Sequence, residues 1–460
     1  MGVECGFRIA LSGQRLFPRG FCGAVVLLTC LMLAGTGKLR AQSSAIPATR
    51  AIIVAVEERP DPALAAGSTQ RGYGRQADYS GSARTRAIAA GLARDHGLVE
   101  LSAWVIDPLH LRCMVYAIAA SSDRAEVLSR LRSDRRVALA QELQEFDTLS
   151  TPSGSLAAAS SASSTDQYND PYVALQTGFA SIGAGQAQRL ANGEGVGVAL
   201  IDTGVDSTHP DLKGRIRGQR DFVNTPALDP GSDRHGTEVA GVIAAVANNG
   251  VGIVGVAPAA SLHAFRACWP LVAGRPAARC NSFTLAQALG AAIDSDARII
   301  NLSLGGPHDP LLEQLLDVAL RRGKIVVAAT PADGRPFGFP SGVAGVIAVS
   351  ASTPDPSAPG NAALRAPGKQ ILTLEPGGSY DYASGSSLAA AHVTGTVALL
   401  LQLAPATDST ALATLLKHTS QAQPDQIDAC AAAHSVHGGR GSCFEQPSGI
   451  ATTAPSFDKH

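Results

Sequence analysis

Apolar and polar positions change rhythm twice along the chain. Residues 51–56 form an unbroken β-branched, apolar run and predict a strand. Helical spacing follows at 83–96. Two strand-like runs, 98–106 and 110–118, flank a turn at Asp107 and Pro108. A second helix is predicted at 123–136 and a last strand at 137–149. This order is the split βαβ pattern of a small α+β, ferredoxin-like domain, placed at 42–149. A serine- and alanine-rich stretch at 150–168 lacks apolar periodicity and reads as an exposed linker. From 169 to 421 the rhythm becomes strand and helix in alternation. Short β-branched runs at 195–201, 297–302, 324–329 and 343–349 accompany helical stretches at 238–247, 284–295, 311–321 and 388–403. The pattern predicts an α/β domain with a mostly parallel sheet and helices on both faces. Functional sites in such sheets form at the carboxyl ends of strands.

Two longer apolar stretches bear on location. Arg8, Arg15 and Arg19 precede the run 21–34, which is shorter than the roughly 20 helical residues that span a bilayer. A basic flank and a short apolar run predict a signal peptide over 1–41, and therefore a secreted protein, periplasmic or extracellular. The stretch 388–404 holds His392, Thr394 and Gln402 and reads as a buried helix, so no membrane span is expected in the mature chain.

Composition narrows the partners. The 460 residues carry 37 Lys and Arg against 38 Asp and Glu, a net charge of -1, which leaves no field to attract a phosphate backbone; no nucleic-acid partner is expected. Export makes the cysteines readable. Cys268 with Cys280, and Cys430 with Cys443 in a tail at 422–460, are close in sequence and predict two disulfides. Cys113 is then left over.

Three short motifs carry chemistry. Asp202 ends a strand in Ile-Asp-Thr-Gly, His235 opens a helix in His-Gly-Thr-Glu, and Ser387 opens another in Gly-Ser-Ser-Leu. Singly, these types are more often a turn aspartate, a surface histidine and a helix cap. Together they suit acyl transfer. A serine hydroxyl needs an imidazole to take its proton, and the imidazole needs a carboxylate to orient it and to stabilise its cation. The chain order Asp, His, Ser is that of subtilisin, and no Gly-x-Ser-x-Gly elbow surrounds Ser387.

Over about 169–421 the sequence resembles the subtilisin-like serine peptidases, or subtilases. Asp-Thr-Gly-Val-Asp-Ser-Thr-His-Pro-Asp-Leu at 202–212 is similar to the family's aspartate block, and 235–241 to its histidine block. Asn-Asn-Gly-Val-Gly-Ile-Val-Gly-Val-Ala-Pro at 248–258 is similar to the segment that follows, and 385–395 to the serine block, which makes Ser387 rather than Ser386 the nucleophile. Residues 301–307 resemble the strand that pairs with substrate backbone, which implies that Ser303, Leu304 and Gly305 bind substrate by strand addition. The resemblance further implies protein or peptide substrates, and an N-terminal domain that serves as propeptide and inhibitor. It implies no cofactor for the chemistry and a structural calcium at Asp211 and Asn249; the residues alone leave open a turn aspartate and a turn asparagine.

One position departs from the family pattern. Ala332 stands where subtilases carry an asparagine whose amide donates to the oxyanion, with Thr330, Asp333 or a backbone N–H as substitutes. The expected function is a secreted serine endopeptidase with an Asp-His-Ser triad and a weakened oxyanion hole. The alternatives are a catalytically impaired, peptide-binding protein on the same fold, or an esterase.

Overall fold

The computed structural model describes residues 48–59, 82–152, 167–223, 229–331, 338–351, 363–420 and 426–438. The signal-peptide segment, most of the linker, Ala332, Asp333 and Cys443 lie outside the described residues.

The chain begins with β1 (Ala51–Glu57), α1 (Ala83–His96), β2 (Val99–Ile106), β3 (Leu111–Ala117), α2 (Arg124–Arg132) and β4 (Leu139–Glu142). The four strands form an antiparallel sheet in the order β2-β3-β1-β4. From Ala51 to Val56 β1 is apolar because both of its faces are covered there; only its last residue, Glu57, is charged and exposed. Ile52, Val54 and Val56 meet Ala89, Leu92, Val127 and Leu128 of the two helices. Ile53 and Ala55 join a second core with Leu285, Leu289, Leu312 and Leu315 from later in the chain. Period-2 alternation disappears when both faces are buried.

The run read as one strand over 137–149 is two strands. After β4 the chain turns at Leu143 and Gln144 and enters β5 (Glu145–Thr148), which belongs to another sheet, between strands at Ala278–Asn281 and Leu304–Gly305 from later in the chain. Ser282 makes the turn: its hydroxyl accepts the Gln144 N–H at 2.9 Å, and its own N–H donates to the Gln144 carbonyl at 3.0 Å. The chain continues as β6 (Ser150–Pro152), paired with Ala383, Ser384 and Gly385 of a strand from much later in the chain.

Next come the short helices α3 (Thr177–Ser181) and α4 (Ala184–Ala187), then β7 (Gly197–Asp202), β8 (Ile216–Asp221), α5 (Arg234–Ala244) and β9 (Ser261–Arg266). The hairpin β10 (Cys268–Pro270) and β11 (Ala278–Asn281) precedes α6 (Ser282–Asp294), β12 (Ile299–Leu302), β13 (Leu304–Gly305), α7 (Pro310–Arg321), β14 (Ile325–Ala329), β15 (Ile347–Ala351) and β16 (Leu364–Ala366). A second hairpin, β17 (Ile371–Glu375) and β18 (Ser379–Gly385), leads into α8 (Ser386–Leu403), followed by α9 (Ser409–Thr419) and α10 (Ala429–His437).

Seven strands form the main sheet in the order β16-β15-β14-β12-β7-β9-β8, every pair parallel. α5 and α8 cover one face; α6 and α7 cover the other. This is an α/β fold with a mostly parallel sheet and helices on both faces, preceded by the small α+β unit. α8 is apolar enough to cross a membrane by composition, yet 89% of it is buried in the protein core. Cys268 and Cys280 are disulfide-bonded across β10 and β11, directly opposite each other in register. Cys113 is buried and free.

Candidate active site

Asp202 sits at the carboxyl end of β7, and His235 lies in the first turn of α5. Asp233, the cap residue of α5, does not cap its own helix. Its carboxylate accepts the Gly204 N–H at 2.9 Å and the Arg266 Nε–H at 2.7 Å, so it ties the loop after Asp202 to the helix start. The Gly236 N–H adds a bond to the Thr203 hydroxyl at 2.8 Å. A Cβ at position 236 would lie 2.6 Å from the Gly204 carbonyl oxygen, so only glycine permits this approach.

The result is a buried line of three groups. Asp202 Oδ1 accepts from His235 Nδ1 at 2.6 Å, and His235 Nε2 lies 3.1 Å from Ser387 Oγ. With Nδ1–H donating its hydrogen bond to the carboxylate, the neutral ring keeps that proton and presents Nε2 as an acceptor. The Ser387 hydroxyl has a second acceptor in reach, the Ser303 carbonyl at 3.0 Å. Ser387 stands in the first turn of α8, where free backbone N–H groups and the helix dipole favour negative charge. Ser386 faces elsewhere and donates to the Thr330 carbonyl at 2.6 Å. The Thr330 N–H is taken by the Val349 carbonyl.

The chain's own residues 145–152 cross this line. β5 lies between β11 and β13, antiparallel to both. The Leu149 N–H donates to the Ser303 carbonyl at 3.3 Å, and the Leu149 carbonyl faces the Ser387 N–H at 3.5 Å. Leu304 and Gly305 pair with Thr148 and Asp147. On the far side β6 pairs with Ala383, Ser384 and Gly385. Gly385 has φ 151°, and a Cβ there would lie 2.2 Å from the Leu149 carbonyl oxygen. Phe146 is fully buried, edge-on to Phe339 with ring centroids 5.5 Å apart.

Asp202, His235 and Ser387 are thus brought together, and Ser303, Leu304 and Gly305 form one wall of a strand-shaped cleft. Sequence reasoning missed the opposite wall, β11, and the continuation along β18; only the glycines at 305, 306 and 385 signalled a close backbone approach.

It also missed a charged cluster beside His235. Glu238 is completely buried one turn along α5, and Arg234 Nε donates to it at 2.6 Å. The same guanidinium reaches Glu375 and Asp381 on the second hairpin. Burial opposes the charged form of His235, but Asp202 and then Glu238 outweigh it and hold the imidazole above its ordinary value. Burial, together with Glu238 and Asp381, pushes Glu375 from an ordinary 4.5 up to about 7, against the pull of Arg234.

The folded state therefore holds a proton on Glu375 that the unfolded chain releases. This contribution to stability is lost as pH rises from about 4.5 to about 7. Glu375→Gln, made in a Ser387→Ala chain to prevent self-digestion, should nearly match its parent in thermal unfolding at pH 5. At pH 8 it should be the more stable by about 1 kcal/mol, since water reaching the partly exposed carboxyl screens the effect. Equal stabilities at both pH values would refute this.

Asp211 and Asn249 also meet, but as a hydrogen-bonded pair. Asn249 turns its NH₂ to Asp211 at 2.7 Å, and its amide oxygen accepts the Val251 N–H. The other Asp211 oxygen accepts from the Ile253 N–H and the Tyr380 hydroxyl. Oxygens already engaged by these donors do not form a cage for calcium, and the expected site does not fit. Among the described residues no three His, Cys, Asp or Glu side chains cluster to hold a metal.

Comparison with known proteins places this architecture. Residues 193–435 match the model of the subtilase family. Thermitase of Thermoactinomyces vulgaris is 37% identical over 241 residues, covering 50% of this chain and 84% of that protein. Subtilisin Savinase of Lederbergia lenta is 36% identical over 240 residues, 50% of this chain and 86% of that protein. Subtilisin E of Bacillus subtilis is 37% identical over 227 residues, 46% of this chain and 57% of that protein. Among solved structures, fervidolysin from Fervidobacterium pennivorans shares the fold with a TM-score of 0.63 at 21% identity, covering 86% of this chain and 62% of that one. With a parallel sheet of this kind and relatives of this similarity, the chain belongs to the subtilase family and is a serine-type endopeptidase.

Proposed function

We propose that this protein is a secreted endopeptidase in which Ser387 is the nucleophile, His235 the general base and then acid, and Asp202 the group that orients it. The first peptide bond cut is the chain's own Leu149–Ser150. The observation that carries this reading is the path of residues 145–152, which put the Leu149 carbonyl at the Ser387 N–H and continue past it without a turn. His235 Nε2 takes the Ser387 proton as Oγ attacks the Leu149 carbonyl carbon. The Ser387 N–H, at the start of α8, receives the negative charge that develops on the carbonyl oxygen. His235 then returns the proton to the departing amine of Ser150, and water reverses the sequence to free the Leu149 carboxylate.

On this reading residues 42–149 are a propeptide that inhibits the site until removed. Its core is continuous with α6 and α7, and its last strand fills the cleft as substrate would. Export is supported by the basic leader with its short apolar run and by the Cys268–Cys280 disulfide. N-terminal sequencing of the purified, processed protein tests the proposal. A mature chain that starts at Ser150 is expected; a first cut at any other bond would mean that the strand in the cleft is not held for cleavage.

A further inference from the structure

Resting on the proposal that residues 145–152 lie as substrate, we infer that the cleft selects a hydroxyl-bearing residue, threonine or serine, immediately before the residue whose carbonyl is attacked. Thr148 holds that position. Its side chain is buried, 8% exposed. Its Oγ accepts the Ala278 N–H at 2.9 Å and donates to the Pro276 carbonyl at 3.1 Å.

The reason lies in where the backbone ladder ends. β5 and β11 pair Glu145 with Asn281, Phe146 with Cys280 and Asp147 with Arg279. The next strand residue, Ala278, turns its N–H to the Thr148 side chain instead. Pro276 and Ala278 are themselves buried, in a hairpin closed by the Cys268–Cys280 disulfide. A donor and an acceptor of the main chain thus converge on one small site and are both satisfied by one hydroxyl. Because they are backbone groups, no rotamer change can remove them. Valine has the shape of threonine but would leave both without a partner, and buried polar groups left unpaired are the strongest source of discrimination a binding site has.

The test uses the processed wild-type enzyme and peptides carrying Phe-Asp-Thr-Leu-Ser, with the threonine replaced by serine or valine. kcat/KM for threonine should exceed that for valine by about ten-fold or more, with serine nearer threonine. Equal values for threonine and valine, with cleavage still between Leu and Ser, would overturn the inference and leave the proposed function standing. No cleavage of any peptide would overturn both. In the full-length chain, Thr148→Val should slow self-processing by a similar factor and Thr148→Ser should restore most of it; unchanged processing in Thr148→Val would count against the inference. Ala278→Pro, which removes the N–H, should bring the threonine-to-valine ratio toward one; a ratio as large as in wild type would overturn it.

Discussion

Full-length Ser387→Ala is expected to remain uncut after purification, and its hydrolysis of peptides to fall by about 10⁴-fold or more. The size of the loss follows from the geometry. His235 Nε2 is held 3.1 Å from Ser387 Oγ, and its other nitrogen is bonded to a buried carboxylate at 2.6 Å. Removing Oγ leaves an oriented base with no nucleophile to activate. The Ser387 N–H survives the substitution, so the strand at 145–152 should stay bound, and the variant should unfold at least as cooperatively as wild type. Electrophoresis of the purified variant over time gives the answer. Processing at the wild-type rate would show that another group, or another molecule, cuts the chain.

The second large effect is expected at Gly306. A Cβ there would lie 2.3 Å from Phe146 Cδ1, inside contact distance, where the ring is fully buried against Phe339. Gly306→Ala should expel a large aromatic group from this site while the Gly306–Phe339 backbone bridge is retained. Burying a phenylalanine side chain contributes about 1.5–3 kcal/mol, so kcat/KM for peptides with phenylalanine four residues before the cleaved bond should fall about 10- to 100-fold. Peptides with alanine there should be almost unaffected. The comparison of the two series is the measurement, and equal losses in both would mean that Gly306 acts on the fold and not on this site.

Local pattern was enough where a segment's surroundings follow from its own sequence. α1 matches its predicted span of 83–96, and the starts of α6 and α7 lie within two residues of expectation. β8 could not be read in this way. From Arg217 to Asp221 its residues are exposed, and it is a strand because the backbone of β9 lies beside it at the sheet edge. The second cleft wall escaped for a related reason: β11 is four residues long, begins after a proline- and glycine-containing loop, and is defined by partners on both sides.

The amino-acid sequence by itself determined the chemistry of this protein and the class of its fold. Asp202, His235 and Ser387 each stand in a short motif whose glycines and flanking strand or helix are encoded within a few residues, so the roles proposed for them could be inferred before their distances were known. Tertiary structure alone decided what lies in front of them. The run 137–149 has one continuous pattern, yet it breaks at Gln144 because Ser282, far along the chain, bonds both of that residue's backbone groups. Beyond the break, pairing with β11, β13 and β18 carries Leu149 to Ser387 and Thr148 to Pro276 and Ala278. Strand pairing joins backbone groups, which every residue carries alike; the sequence of either partner therefore does not reveal which strands will meet or in what register.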